Sequence, residues 1–453
     1  MISGHDVVER ALAAATVDET IVIVTNSSEA SLRWAGSSMT TNGISTSRRW
    51  TVVSIIRDVA GARVATVSST SVDPDDISSV VREAEKTART ADVAEDAVAL
   101  IQGTSTPQTW EDSPRRTDID VFGSLTGGLA TGFDGADLLY GFAHHQVETV
   151  WLGSSTGIRH RFTQPTGSVE INGKRHGASA WVGAGTTSFD DVAVERLLSE
   201  LSTRLDWAST SLDLPAGRYE TILPPSAVAD LMIYLMWTME GRGAQEGHTA
   251  LSRAGGTRIG EKLGKLPLTL YSDPLEPGLE YSPFLATGTS NDSVSLFDNG
   301  LPTSRVEWIR EGTVNALAYP RFAAQKYRTD ATIPGDNLIL RGGSAADIDD
   351  MVASTERGLL LTTLWYIREV DPATLLLTGL TRDGVYLIED GKVAGAVNNF
   401  RFNESPLDLL RRTTEAGATS KTLPREWKDW FTRTAMPTLR IPDFHMSSVS
   451  AAR

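Results

Sequence analysis

Leu212-Asp213-Leu214-Pro215-Ala216-Gly217 is the stretch that divides this chain. A proline and a glycine two residues apart stop a helical pattern and start a new segment. The pattern they stop runs from Asp190 to Trp207, where Val194, Leu197, Leu198, Leu201 and Leu205 recur at helical spacing. The chain has 453 residues. A single core rarely grows past about 250–300 residues, so a boundary here is physically reasonable. We read residues 1–210 as an N-terminal α+β domain and residues 211–453 as a C-terminal β-rich domain.

Upstream of the boundary, strands and helices alternate without the regular rhythm of a parallel sheet. Asp6 to Ala14 reads as a helix with Ser3 as its cap. Thr20 to Thr25 is short and β-branched and reads as a strand. Glu29 to Trp34 is expected to pair with it. Trp50 to Arg57 and Arg63 to Ser68 read as a hairpin across Asp58-Val59-Ala60-Gly61. The clearest helix follows. Asp73 can cap it, Pro74 suits its first position, and Ile77, Val80, Val81, Ala84 and Ala88 form its buried face. Glu83, Glu85, Lys86 and Arg89 fall mostly on the wet side. Residues 91 to 118 lose periodicity and read as a long loop. Glu148 to Gly153 and Gly177 to Val182 read as strands.

Downstream, Glu220 to Leu223 reads as a strand and Pro225-Ser226 opens a helix through Met239. The remainder is short strands punctuated by glycine and proline, the pattern of an antiparallel, barrel-like β domain. The fold class is therefore α+β, with antiparallel hairpins and helices first and an antiparallel β-rich, barrel-like part second.

Composition excludes several functions. The net charge of −15 argues against nucleic acid as the main partner, because phosphate binding needs a basic face. No apolar run is long enough to span a bilayer, and no basic start followed by an apolar run marks a signal peptide. A soluble cytoplasmic protein is expected. The absence of cysteine removes disulfides, thiolate nucleophiles and cysteine-bound metal.

A helix-borne catalytic zinc needs closely spaced histidines with a glutamate beside them as base. The seven histidines are His5, His144, His145, His160, His176, His248 and His445. None is followed by glutamate, and no two have the spacing of a helical ligand pair. His144 and His145 are adjacent, so on a strand they point to opposite faces. Gly241-Arg242-Gly243 lacks the lysine of a phosphate loop, and Gly153-Ser154-Ser155-Thr156-Gly157 lacks the order of a nucleophile elbow. Asp75-Asp76 and Asp349-Asp350 read as helix-start charges. Trp427, Trp430 and Phe431 read as packing.

Several motifs nevertheless occur in a specific order. They are Ala216-Gly217-Arg218-Tyr219-Glu220, Leu296-Phe297-Asp298-Asn299-Gly300-Leu301-Pro302-Thr303, Asn337-Leu338-Ile339-Leu340-Arg341-Gly342-Gly343, Glu356-Arg357-Gly358-Leu359-Leu360-Leu361, and Thr378-Gly379 through Ile388-Glu389-Asp390-Gly391-Lys392. Together they resemble the TldD/TldE (PmbA) family over roughly residues 215 to 445. The resemblance implies a metallopeptidase complex in which a TldD-like subunit carries His-Glu-x-x-x-His and a cysteine as zinc ligands. A TldE-like subunit lacks them and pairs with it. Here the corresponding helix, Ser226 to Trp237, has no histidine. The resemblance therefore implies the TldE-like side. The expectations are no catalytic residue and no cofactor in this chain, zinc in a TldD-like partner, and a peptide substrate. Alternatives are a self-sufficient homodimeric hydrolase with a site of its own, or a peptide-binding protein. Tyr234, Arg242 and Glu246 are the residues expected to line the channel or touch the partner, from their place on and after that helix. Asp230, alone in the apolar helix, reads as a cap or contact.

Overall fold

The computed structural model describes residues 2–103 and 105–450. Six antiparallel strands make the N-terminal sheet: β1 (Glu19–Trp34), β2 (Met39–Asp58), β3 (Gly61–Ser69), β4 (Leu138–Ser154), β5 (Arg159–Arg175) and β6 (Ala178–Thr186), in the order β3-β2-β1-β4-β5-β6. Thr20–Thr25 and Glu29–Trp34 do not pair with each other. They are the two ends of β1, which pairs along its length with β2 and β4. The polar residues between them looked like a turn. Their side chains are satisfied within the fold instead: Ser28 donates to the Thr117 carbonyl at 3.3 Å, and Ser27 accepts from Gln146 at 2.8 Å. With its polar groups paired, the strand runs on.

Side chains alternate across β1, and the sheet uses both faces. Val22 and Val24 pack under α1 (Gly4–Ala14) and α2 (Pro74–Thr90). Ala30, Leu32 and Trp34 pack under α3 (Gly123–Phe133) and α4 (Val194–Trp207). Ile21 and Ile23 face the other way and meet Phe284, Leu296 and Phe297 of the C-terminal half. Ser3 makes the expected cap of α1, a full capping box with Asp6. Asp73 stands at the start of α2 but makes no side-chain cap bond. Glu85 is a correction. It is buried, not wet, because its carboxylate accepts from the Thr16 N–H at 2.5 Å and the Thr16 hydroxyl at 2.7 Å.

The second sheet gathers the chain from β7 (Ser211–Leu212) and β8 (Gly217–Leu223) onward. Its hub is the last strand, Thr434–Val449, which pairs antiparallel with β8, Phe400–Glu404 and Glu415–Thr422. Three strand pairings of this sheet are parallel among the described residues: Leu338–Arg341 with the hub, Arg357–Leu361 with β8, and Lys392–Val397 with β7. The mostly antiparallel sheet curves as a half-barrel around α5 (Pro225–Trp237). The fold is α+β.

Candidate functional site

The end of α5 is the natural place to look, because the sheet wraps the middle of this helix and its most exposed side chain, Trp237, lies in the last turn. Pro225 pre-sets the first helical position. Apolar residues then cover every side of the helix, the pattern of a core element. Residues Ala227 to Ile233, with Leu235 and Met236, are all buried. The helix ends at Trp237, two residues before the sequence pattern suggested, where Thr238 turns its hydroxyl back to the Leu235 carbonyl at 2.8 Å.

Tyr234 is half-buried and Trp237 is 39% exposed. Trp427 completes an aromatic shelf with them: its ring lies 4.9 Å from Trp237, edge-on, and 5.8 Å from Tyr234. Burial and the nearby Glu369 carboxylate push the Tyr234 phenol up. Tyr366 and Trp430 are also exposed, at 56% and 80%. Trp427 does pack, as read, while Trp430 does not.

Asp230 builds the wall behind this shelf. It is fully buried, and one of its oxygens accepts the Glu426 N–H at 3.0 Å. The other oxygen has no protein partner. Burial pushes this carboxyl well above the usual carboxylate range. The Trp427 indole donates to the Asp230 carbonyl at 2.8 Å. The Glu426 carboxylate in turn accepts from the N–H groups of Tyr366 and Ile367, at 3.0 and 3.1 Å. The segment then reaches the N-terminal sheet. The Arg425 guanidinium sits 5.4 Å from the ring centres of both Trp181 on β6 and Trp365, and Lys428 pairs with Glu170 on β5 at 3.2 Å. Asp230 thus holds residues 425–427 in place.

Arg242 and Glu246 lie together elsewhere, on the short helix α6 (Gly241–Gln245) and its cap. Gly241 is required there, since a Cβ would sit 2.2 Å from the Tyr319 ring. Arg242 pairs with Glu246 at 3.2 Å, Glu95 at 3.3 Å and Asp292 at 3.7 Å. Glu246 also accepts from Lys326 at 3.2 Å and the Tyr327 hydroxyl at 3.1 Å. Hydrogen bonds from Lys326, Arg242 and Tyr327 hold the Glu246 carboxyl below its ordinary range. The structure joins these two residues in one charge cluster and gives Tyr234 to the aromatic shelf.

The donors on α5 do not fit a zinc site. Its side-chain oxygens are those of Ser226, Asp230 and Tyr234; the Ser226 hydroxyl turns to the Thr362 carbonyl and Asp230 is locked in the core. The histidines are dispersed: His145 bonds Thr117 and the Thr187 carbonyl, His160 stacks on Phe284, and His248 is largely exposed. Among the described residues no three His, Asp or Glu side chains gather as a metal site.

A polar cleft of about 500 Å³ escaped sequence reasoning. Arg218, Asn403, Glu404, Arg412, Asp443 and His445 line it. Arg412 bridges Glu404 and Asp443. Burial raises the Glu404 carboxyl against the pull of Arg412. Its residues come from three distant strands and a helix, so no local motif announces it.

Comparison with known proteins gives the family. No curated protein sequence matches the chain. The structure is similar to that of TldE from Thermococcus kodakarensis, with a TM-score of 0.78 and 18% identity over 97% of this chain and 98% of that one. It is also similar to a candidate modulator of a DNA gyrase from Thermotoga maritima, with a TM-score of 0.74 and 15% identity over 97% and 99% of the two chains. A similar candidate gyrase modulator from Bacteroides thetaiotaomicron gives 0.74 and 16%, over 98% of each chain. At these identities the likeness speaks for the fold. The family model for the PmbA/TldA metallopeptidase C-terminal domain matches residues 216–448, more than half of the chain. From this match, and the ordered motifs that lie within it, the chain belongs to the PmbA/TldD metallopeptidase family.

Proposed function

We propose that this chain is the non-catalytic, TldE-like subunit of a two-chain zinc peptidase. One observation supports the reading above others: the helix that opens the C-terminal domain offers no ligand set, and its reachable end is aromatic. A catalytic zinc needs three protein ligands and an open position. Here that end presents Tyr234, Trp237 and Trp427. Aromatic side chains with one apolar and one polar edge suit contact with a partner or an extended peptide. The zinc and the hydrolytic step would belong to a TldD-like partner. This chain would contribute walls that exclude water and admit only extended chains.

The test is purification of the tagged protein from its own host, with native mass and metal content measured on the intact complex. A His-Glu-x-x-x-His chain co-purifying one to one, with zinc following that chain, is the expected result. A preparation containing this chain alone, with stoichiometric metal and peptide-cleaving activity, overturns the reading. The place of the site would then be sought among the dispersed histidines and the polar cleft.

A further inference from the structure

The polar cleft stands apart from α5. Arg218 on β8 and His445 on the hub strand are cross-strand neighbours, and Asn403 belongs to Phe400–Glu404, which pairs with the hub. Phe402, Phe444 and Met446 alternate with these residues and point into the core around α5. The cleft therefore opens on the outer face of the half-barrel. The short helix Pro406–Arg412 adds Arg412 to its wall. Its volume of about 500 Å³ is that of a small-molecule site.

Several of its groups are already spent on one another. Arg412 donates to the Glu404 carboxylate, to the Asp443 carboxylate and, at 3.1 Å, to the Asp443 carbonyl. Glu404 also accepts the His445 backbone N–H at 2.6 Å. Other groups keep capacity. Arg218 donates to the Asp443 carbonyl at 3.0 Å through one nitrogen, and its side chain is 54% exposed, so the rest of its fork is open. The oxygen of the Asn403 amide is buried and receives no donor from the protein. The His445 ring donates to the Asn403 carbonyl; burial, and then the charges of Arg218 and Arg412, push it below its ordinary range. A neutral imidazole with one nitrogen donating has a bare acceptor at the other. The charges acting on this ring are both guanidinium groups, so an anion entering beside it meets a positive field.

We propose that this cleft binds the free carboxyl end of a short peptide. The ligand needs an acid for Arg218, an N–H for the bare nitrogen of His445 and a polar group for the Asn403 amide. The last residue of a peptide carries all of these within a few bonds: a carboxylate, an amide N–H and the carbonyl before it. The planar carboxylate matches the open edge of the Arg218 fork. A doubly charged phosphate fits worse, because Glu404 and Asp443 stand among the arginines and oppose a second charge. The proposal draws on the peptide-processing reading for the source of its ligand, but binding itself needs neither zinc nor a partner.

The test is isothermal titration calorimetry on the full chain with trialanine, trialanine amide and inorganic phosphate. Trialanine should bind one to one, and its amide about tenfold more weakly or worse. Arg218→Gln removes the cation, and Asn403→Asp sets a like charge beside the ligand; each should weaken trialanine binding about tenfold. Lys86→Gln removes an exposed charge on α2 and should leave binding unchanged. Far-ultraviolet circular dichroism checks that each variant is folded. The absence of saturable heat with trialanine up to about 10 mM overturns the proposal. Equal binding of the amide, or displacement of trialanine by phosphate, does the same. Binding that survives both cleft variants places the peptide on another surface and overturns it too. None of these results depends on whether a zinc-bearing chain co-purifies, so the two readings fail separately.

Discussion

Glu85 on α2 and Asp230 on α5 are both acids sealed inside a core, and the fold treats them differently. Glu85 reaches from its helix to the end of α1, where Thr16 offers an N–H and a hydroxyl to its two oxygens. Asp230 finds an N–H for one oxygen only. A buried carboxylate with both oxygens bonded ties two helices together as a strong contact. A buried carboxyl with one oxygen orphaned shifts toward its neutral form, because desolvation opposes the charge. Equal burial thus leaves the two acids with different hydrogen-bond partners.

The largest expected effect tests the α5 side. Trp427→Ala removes ring contacts with Tyr234 and Trp237 and the bond to the Asp230 carbonyl, and should cost about 3 kcal/mol or more. Denaturant unfolding measures it, and faster proteolytic cleavage near residues 425–433 should accompany the loss. An unchanged midpoint would mean that the 425–427 segment does not depend on this shelf.

Next in size is Glu85→Ala, which leaves the Thr16 groups without their acceptor and should cost about 2 kcal/mol. Glu85→Gln should recover part of that stability, since an amide oxygen still accepts. Should the two variants prove equally destabilised, the hydrogen bonds are not what the acid supplies.

Asp230→Asn sharpens the contrast through pH. The folded carboxyl titrates well above its unfolded value, so the native state binds the extra proton. The wild type then loses stability as pH rises from the unfolded carboxylate range toward the folded value. The asparagine variant lacks this slope. Its thermal midpoint relative to wild type should climb between about pH 5 and pH 8. A flat difference over that range would show that Asp230 titrates normally.

The smallest effect is Arg242→Ala. Its pairs with Glu246, Glu95 and Asp292 lie near the surface, where solvent and salt screen them. The thermal midpoint should stay close to that of wild type, and any difference should fade in about 0.5 M salt. A large loss would place this cluster among the structural supports of α6.

The amphipathic helices and β-branched strands were legible, because periodicity records which face meets the core. α2 and α4 stand where that pattern put them, to within a few residues. β5 and α3 were not recognised. β5 carries polar residues at many positions and α3 is rich in glycine, so propensity is weak in both. The motifs for the family were legible as an ordered series, but their spacing says nothing of what lies beside the end of α5.

The sequence by itself determined the α+β class, the family, the absence of cysteine and the lack of histidine on α5. These follow from residue identity and local spacing, which one chain carries without help. Only the tertiary structure decided that Trp427 joins Tyr234 and Trp237, that Asp230 anchors a segment nearly 200 positions away, and that Arg242 and Glu246 close on each other. The same holds for the polar cleft, since Arg218 and His445 become neighbours only in the folded sheet. Contacts between distant segments depend on which surfaces the fold brings within a few ångströms, and burial then sets the charge and partner of each group found there.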